Sequence, residues 1–352
     1  MGTASTEGQF AQVTNVEAAR LLLAKMGVSP AELLGPAAPR PEIPAFAEYI
    51  PRVRSAVGTG THRVYSSYWD RVLSAWGPRR LDEVAALDIS QLAEQVKASA
   101  VVRRNARGGR GAAEHMISAL RCLYRHAVAD GLITEADNPA TKVAKPRRLP
   151  STRRALPDRR LEEINRVAAC TGNDPALDTL LLRFHVETAC RRGGALALLP
   201  QDLDPQQCLV QLREKGGTVR WQPVSPTLMS HLLAHGQSRG GLEVETRLLR
   251  YTNGKPITSR RYDHLWQRLG QQLPWVATQQ ISTHWLRHTT ITWVERNFGF
   301  ATAHAYAGHT DSGGRDGSAT ATYVRADITE VATALAALTG EPHPLAADAV
   351  SI

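Results

Sequence analysis

The stretch ATKVAKPRRLPSTRRALPDRR, residues 140–160, sets the first limit on how this chain folds. It carries eight basic residues (Lys142, Lys145, Arg147, Arg148, Arg153, Arg154, Arg159 and Arg160), a single acid, Asp158, and prolines at 146, 150 and 157. Each proline fixes its own φ and pushes the residue before it out of the helical region. Like charges at this density also repel one another. The segment therefore reads as an extended linker that cannot fold alone, and it divides the chain into two domains. Crowded positive charge is relieved best by a polyanion, so we read the linker as a tether lying along phosphate groups.

The N-terminal part, residues 1–45, is not basic and contains one expected helix, from about Asn15, its N-cap, to Met26. Residues 46–139 read as helical. Tyr65, Trp69, Val72, Leu73 and Trp76 fall on one face. Met116, Ala119, Leu120, Leu123, Tyr124 and Ala127 recur at the spacing of a buried helical stripe, with Gly131 as the C-terminal cap. The aromatics here read as core. Between these helices RRNARGGR places Arg103, Arg104, Arg107 and Arg110 in a loop. A second domain, residues 161–326, opens with a helix over Leu161–Ala169. Asp174-Pro175 then caps the next helix. CLVQLRE and TVRWQPV read as two strands joined through Lys215-Gly216-Gly217, and helices follow. Asp327 and Glu330 open a last helix with a capping-box pattern, within a terminal segment at 327–352. The expected fold class is mainly α with a small antiparallel hairpin or sheet in the second domain.

No apolar run approaches the ~18–20 residues needed to cross a bilayer, so no membrane partner is expected. Cys122, Cys170, Cys190 and Cys208 are scattered without CxxC spacing. That argues against a zinc site or a disulfide framework and fits a reducing, cytoplasmic setting.

The chemistry-bearing residues lie in the second half. In STHWLRHTTITWVERNFG, Ser282 or Thr283 can cap a helix ending near Phe298-Gly299. On it His284, Arg287, His288 and Ile291 share one face, opposite Leu286, Thr290 and Trp293. Taken alone, such a face is either solvated or a site. His284 and His288 have i, i+4 spacing, but the acid of a HExxH zinc motif is missing and no metal is expected.

The order of further pieces resembles the tyrosine recombinase, or phage integrase, family. TACRRGGALAL (188–198) is similar to that family's first arginine box, with Arg191 at the arginine position. Lys215 lies where the family keeps a hairpin lysine. HWLRH is similar to the HxxR box and supplies His284 and Arg287. AGH (307–309) is similar to the LGH box and supplies His309, and TYVRAD places Tyr323 at the nucleophile position. The resemblance covers roughly residues 50–335 and is architectural in the N-terminal half. It implies a two-domain C-shaped clamp made of a helical core-binding domain (46–139), a basic linker (140–160) and an integrase-type catalytic domain (161–326). It also implies a terminal helix that such proteins often donate to a neighbouring protomer.

The implied function is site-specific DNA recombination, in which strands are cut and rejoined through a 3′-phosphotyrosine. Arg191 and Arg287 would bind the nonbridging oxygens of a DNA phosphate as negative charge builds on them. Lys215 would protonate the leaving 5′-oxygen, His284 would accept a proton and His309 would hydrogen-bond the phosphate. Tyrosine ionises near ~10, so the nucleophile needs such neighbours. The covalent intermediate keeps the bond energy, so no cofactor is implied. The implied partners are double-stranded recombination sites and three further copies in a tetramer on DNA, the free protein being a monomer or dimer, with accessory DNA-bending factors compatible. Lys142, Lys145, Arg147, Arg148, Arg153, Arg154, Arg103, Arg104, Arg107, Arg110 and His288 are the candidate DNA contacts. Two other functions fit the same scaffold: DNA relaxation of the type IB topoisomerase kind, and an inactive DNA-binding regulator.

The sequence departs from the family pattern at three places. Gly194 stands where an acid usually follows the first arginine, so support for Arg191 must come from elsewhere. Ala189 replaces the common glycine before the box. DSGGRDGSA lengthens the interval from His309 to Tyr323, and its glycines would let the tyrosine move in and out of the site. Tyr251, Tyr262 and Tyr306 are other tyrosines of this half, but none follows AGH.

Overall fold

The structure, a computed structural model, describes residues 16–29, 42–100, 107–147, 153–214, 217–240, 242, 245–308 and 326–346. Contacts divide the chain into two compact units, Met1–Leu149 and Pro150–Ile352.

The first unit is helical. Residues 16–26 form a helix, while its expected cap Asn15 lies outside the described residues. Four helices then enclose one core: α1 (Phe46–Ala56), α2 (Thr59–Trp76), α3 (Ala86–Ala98) and α4 (Arg110–Ala129). Every member of the expected α4 stripe, Met116 through Ala127, is buried. Trp69 and Trp76 are buried too, and Trp69 donates its indole N–H to the Ala119 carbonyl at 3.1 Å. An indole that packs on a helix and satisfies its one donor inside it is a core residue. Arg110, read as a loop residue, is instead the first residue of α4. The turn before it places Gly108 and Gly109 at positive φ, and a Cβ at 109 would collide with the Lys97 carbonyl. Only glycine allows the chain to pass α3 so closely.

The basic segment is anchored at its described ends. Ala140 and Val143 are buried in the first core, and the Arg121 guanidinium donates to their carbonyls at 3.1 and 2.7 Å. Leu156 is buried in the second unit, and α5 (Asp158–Cys170) takes up Arg159 and Arg160. Apolar residues at 140, 143 and 156 anchor both ends, an effect that the surrounding charges obscured in the sequence.

In the second unit α6 (Pro175–Thr188) is the central helix, packed against α5 and three later helices. Asp174 caps it, accepting from the Leu177 N–H at 3.2 Å, with Pro175 behind it as expected. Its interior face carries Leu177, Leu181 and Phe184, but Asp178, His185, Glu187 and Thr188 are buried as well. The carboxylates are matched by arginines: Asp178 by Arg261 and Arg268, Glu187 by Arg183 at 2.6 Å. After α7 (Arg192–Ala197) comes an antiparallel sheet in the order β1 (Leu203–Asp204), β2 (Leu209–Arg213), β3 (Val219–Pro223). The expected hairpin is β2–β3, with Leu212 opposite Arg220. The two-residue β1 was too short to show in the sequence. Next come α8 (Pro226–Ser238), α9 (Ser259–Gln272), α10 (Pro274–Gln279), α11 (Thr283–Ala307) and α12 (Ile328–Thr339).

The helix expected to end near Gly299 does break there, at φ 82° and ψ 172°, yet it resumes and runs to Ala307. The capping box of α12 forms: Asp327 accepts from the Glu330 N–H, and Glu330 from the Asp327 N–H, both at 2.9 Å. The helix packs on its own domain through Val331, Ala334 and Leu335. Among the described residues no helix is long and apolar enough to cross a membrane.

Candidate active site

The end of α6, the β2–β3 hairpin and the two ends of α11 meet at one place. Helix α6 stops at Ala189, which takes a left-handed conformation at φ 48°. Arg191 then adopts an extended backbone as the N-cap of α7. Its backbone N–H donates to Glu214 Oε1 at 2.6 Å and its guanidinium to Glu214 Oε2 at 2.7 Å. The Glu214 side chain has no solvent exposure, whereas that of Arg191 is 38% exposed. The support that Gly194 cannot give Arg191 therefore comes from the hairpin.

Arg287, in the first turn and a half of α11, is buried, and its guanidinium donates to the Ala189 carbonyl and, at 2.6 Å, to the Ala307 carbonyl. The break at Gly299 lets the second half of α11 bring Ala307 back to it. Burial, then the positive charge of Arg191, pull the Arg287 pKa down to about 10, which leaves it a cation at neutral pH. Arg220, on β3, is a third cation here, 4.0 Å from Glu214 Oε2. Its side chain fills the space beside Gly308, where any Cβ would collide with it and where φ is 61°. So the residue before His309 must be glycine for both steric and conformational reasons.

Arg191, Arg287 and His284 line one open pocket of about 660 Å³, together with Arg192, Tyr262 and Trp266. His284 is exposed at its edge. Desolvation, then the charges of Arg153, Arg287, His288 and Arg191, lower its pKa from the ordinary imidazole value, so it is neutral and able to accept a proton at neutral pH. His288, one turn further on, is half-buried and outside the lining of this pocket. Tyr306 and Tyr262 are buried and their hydroxyls are committed to other partners. The Tyr306 hydroxyl donates to the Glu187 carbonyl, that of Tyr262 pairs with His185 Nε2 at 2.9 Å, and burial raises both pKa values well above the usual phenol range.

Lys215, His309 and Tyr323 lie outside the described residues, with the DSGGRDGSA stretch. So do Arg103, Arg104, Arg148 and the side chain of Arg107. Lys142, Lys145, Arg147 and Arg110 in the first unit, and Arg153 and Arg154 in the second, are exposed. Sequence reasoning missed Glu214 and Arg220. The signal for Arg220 was a charge at a strand position facing Leu212, which is buried. Glu214 gave no signal beyond standing next to Lys215.

Three arginines around one buried carboxylate leave an excess of positive charge facing a pocket, with a neutral imidazole at its rim. That arrangement suits a phosphodiester. A mainly helical domain carrying this pocket beside a three-stranded sheet is an integrase-type catalytic domain. Residues 155–329 match the phage integrase family, and the chain belongs to it. No curated protein matches the chain in sequence. Among solved structures it is similar to a lambda integrase tetramer bound to a Holliday junction, with a TM-score of 0.58 and 16% identity over 82% of this chain and 79% of that one. It is also similar to a lambda integrase dimer bound to a COC′ core site (0.58, 16%, 90% and 87%) and to the Tn1549 transposon integrase in complex with transposon right end DNA (0.57, 17%, 76% and 92%). At such identities the likeness is one of fold.

Proposed function

We propose that this chain is a site-specific DNA recombinase that cuts and rejoins strands through a 3′-phosphotyrosine. The observation that carries the reading is the convergence of Arg191 and Arg287, from segments almost a hundred residues apart, on one pocket edged by a neutral His284. The two guanidinium groups hold the nonbridging oxygens of the scissile phosphate and bind the transition state better than the substrate, because charge grows on those oxygens. The Tyr323 oxygen attacks phosphorus, the bond to the 5′-oxygen breaks, and Lys215 gives that oxygen its proton. His284 takes up the phenol proton, and His309 adds a hydrogen bond to the phosphate. Attack by a second 5′-hydroxyl reverses the steps and seals a new partner. Tyr323 is assigned this role by its place after AGH, and the burial of Tyr262 and Tyr306 weighs against those two. The exposed basic groups at 142–154 bind the DNA backbone and set affinity rather than sequence choice. Four copies on two sites complete the proposed complex.

The test is a nicked suicide duplex, which traps a covalent protein–DNA complex because the cleaved end diffuses away. Trapping by the wild type, lost by about a hundredfold or more in Arg191→Ala and Arg287→Ala, is the expected result. Full trapping by both variants would end the proposal. Rapid relaxation of a supercoiled plasmid that lacks target sites would point to a topoisomerase instead.

A further inference from the structure

We infer that Glu214 is a positioning residue for Arg191, and that Gly194 is the vacancy that makes room for it. The inference rests on the proposed recombinase reading. Glu214 grips Arg191 at two points, the backbone N–H and the guanidinium, and so fixes both where the chain turns and where the charge points. A carboxylate without solvent exposure must have partners, and here they are Arg191 and, at 4.0 Å, Arg220. The pairing neutralises one of the pocket's cations and leaves a net positive charge for a phosphate.

Position 194 aims at the same space. A Cβ there would sit 3.4 Å from Glu214 Cγ and 3.6 Å from Oε1. A methyl group would be in ordinary contact, but a longer side chain would need the volume that the Glu214 carboxylate occupies. The acid and the glycine are thus two halves of one arrangement, and an acid moved to 194 can do the work of Glu214 once 214 is cut back.

Glutamine at 214 presents an NH2 to one of the two Arg191 donors and loses that bond. A hydrogen bond to a charged group is worth enough to slow cleavage by about 10- to 100-fold in Glu214→Gln, while DNA affinity, set by backbone contacts elsewhere, holds. The probe is the duplex that wild-type protein captures covalently from a pool of nicked suicide substrates with a randomised core. Three readouts are taken on it. Glu214→Gln should trap about 10- to 100-fold more slowly. Gly194→Asp added to Glu214→Ala should recover about tenfold or more of the rate lost by Glu214→Ala alone. A methylphosphonate at the scissile position, which removes one negative oxygen, should shrink the gap between wild type and Glu214→Gln, since less charge then awaits Arg191. A purely structural role would lower the melting temperature without changing that gap. Wild-type rates in Glu214→Gln would overturn the inference. So would a deficit that neither the relocated acid nor the methylphosphonate reduces. Failure of the wild type itself to capture any duplex would instead sink the recombinase reading, and this inference with it.

Discussion

His185 and Arg287 show how individual side chains of this domain are tuned by what surrounds them. His185 lies inside α6, bonded to Tyr262, and burial pulls its pKa down to about 4. His235 on α8 is lowered to about 4 in the same way, with Arg239 adding to the effect. Above pH 6.5 both imidazoles are neutral in the folded and the unfolded chain. Between 6.5 and 4 the unfolded chain binds protons that the folded one refuses, so stability falls as the pH falls through this window. The slope is about 1.4 kcal/mol per pH unit for each group. Thermal unfolding of wild type from pH 7 to 4.5 should show this decline, and His185→Phe, although less stable at pH 7, should show a shallower one. An equal slope in both would mean that His185 is not held neutral. His284 follows the same sign in function: cleavage should persist to lower pH than an ordinary imidazole would permit.

The elements differ in how far local sequence reveals them. The α4 stripe needed only its own period, because one apolar face meeting one core decides the outcome. The cap of α6 and the capping box of α12 were also local, each satisfied within three residues. Replacing Asp327 by alanine should cost α12 about 1 kcal/mol, read as faster amide exchange confined to residues 328–332. Uniform exchange across the domain would show that the cap is not the local anchor. The site was legible only in part. Arg191, His284 and Arg287 could be named from motif order, but Glu214 could not be linked to Arg191. Their bond joins residues 23 apart through a hairpin and a helix end, and no periodicity reports such a meeting. Nor did any pattern show that Asp178 and Glu187, both on α6, would be buried, since their arginines come from α9 and from the helix itself. The anchoring of the linker's ends was hidden for a similar reason. Ala140, Val143 and Leu156 are single apolar residues among charges, and only the cores they enter give them meaning.

At the scale of the whole molecule, the net charge of +9 owes much to residues 140–160, with eight bases against one acid, and Lys142, Lys145 and Arg147 among them are exposed. If these meet phosphates, DNA affinity depends on salt through the counterions they release, by about 0.9 in log–log slope for each contact. Neutralising all three with glutamine should flatten the slope by roughly 2.7 and weaken binding to all sequences alike, while Arg191→Ala changes cleavage far more than binding. An unchanged slope would place the DNA elsewhere. The covalent step is the centre of the proposed mechanism. Wild-type protein trapped on a nicked duplex, digested to peptides and analysed by mass spectrometry, should carry its nucleotide remnant on Tyr323, and Tyr323→Phe should carry none. A remnant on another residue, or a trapped complex that survives Tyr323→Phe, would contradict it.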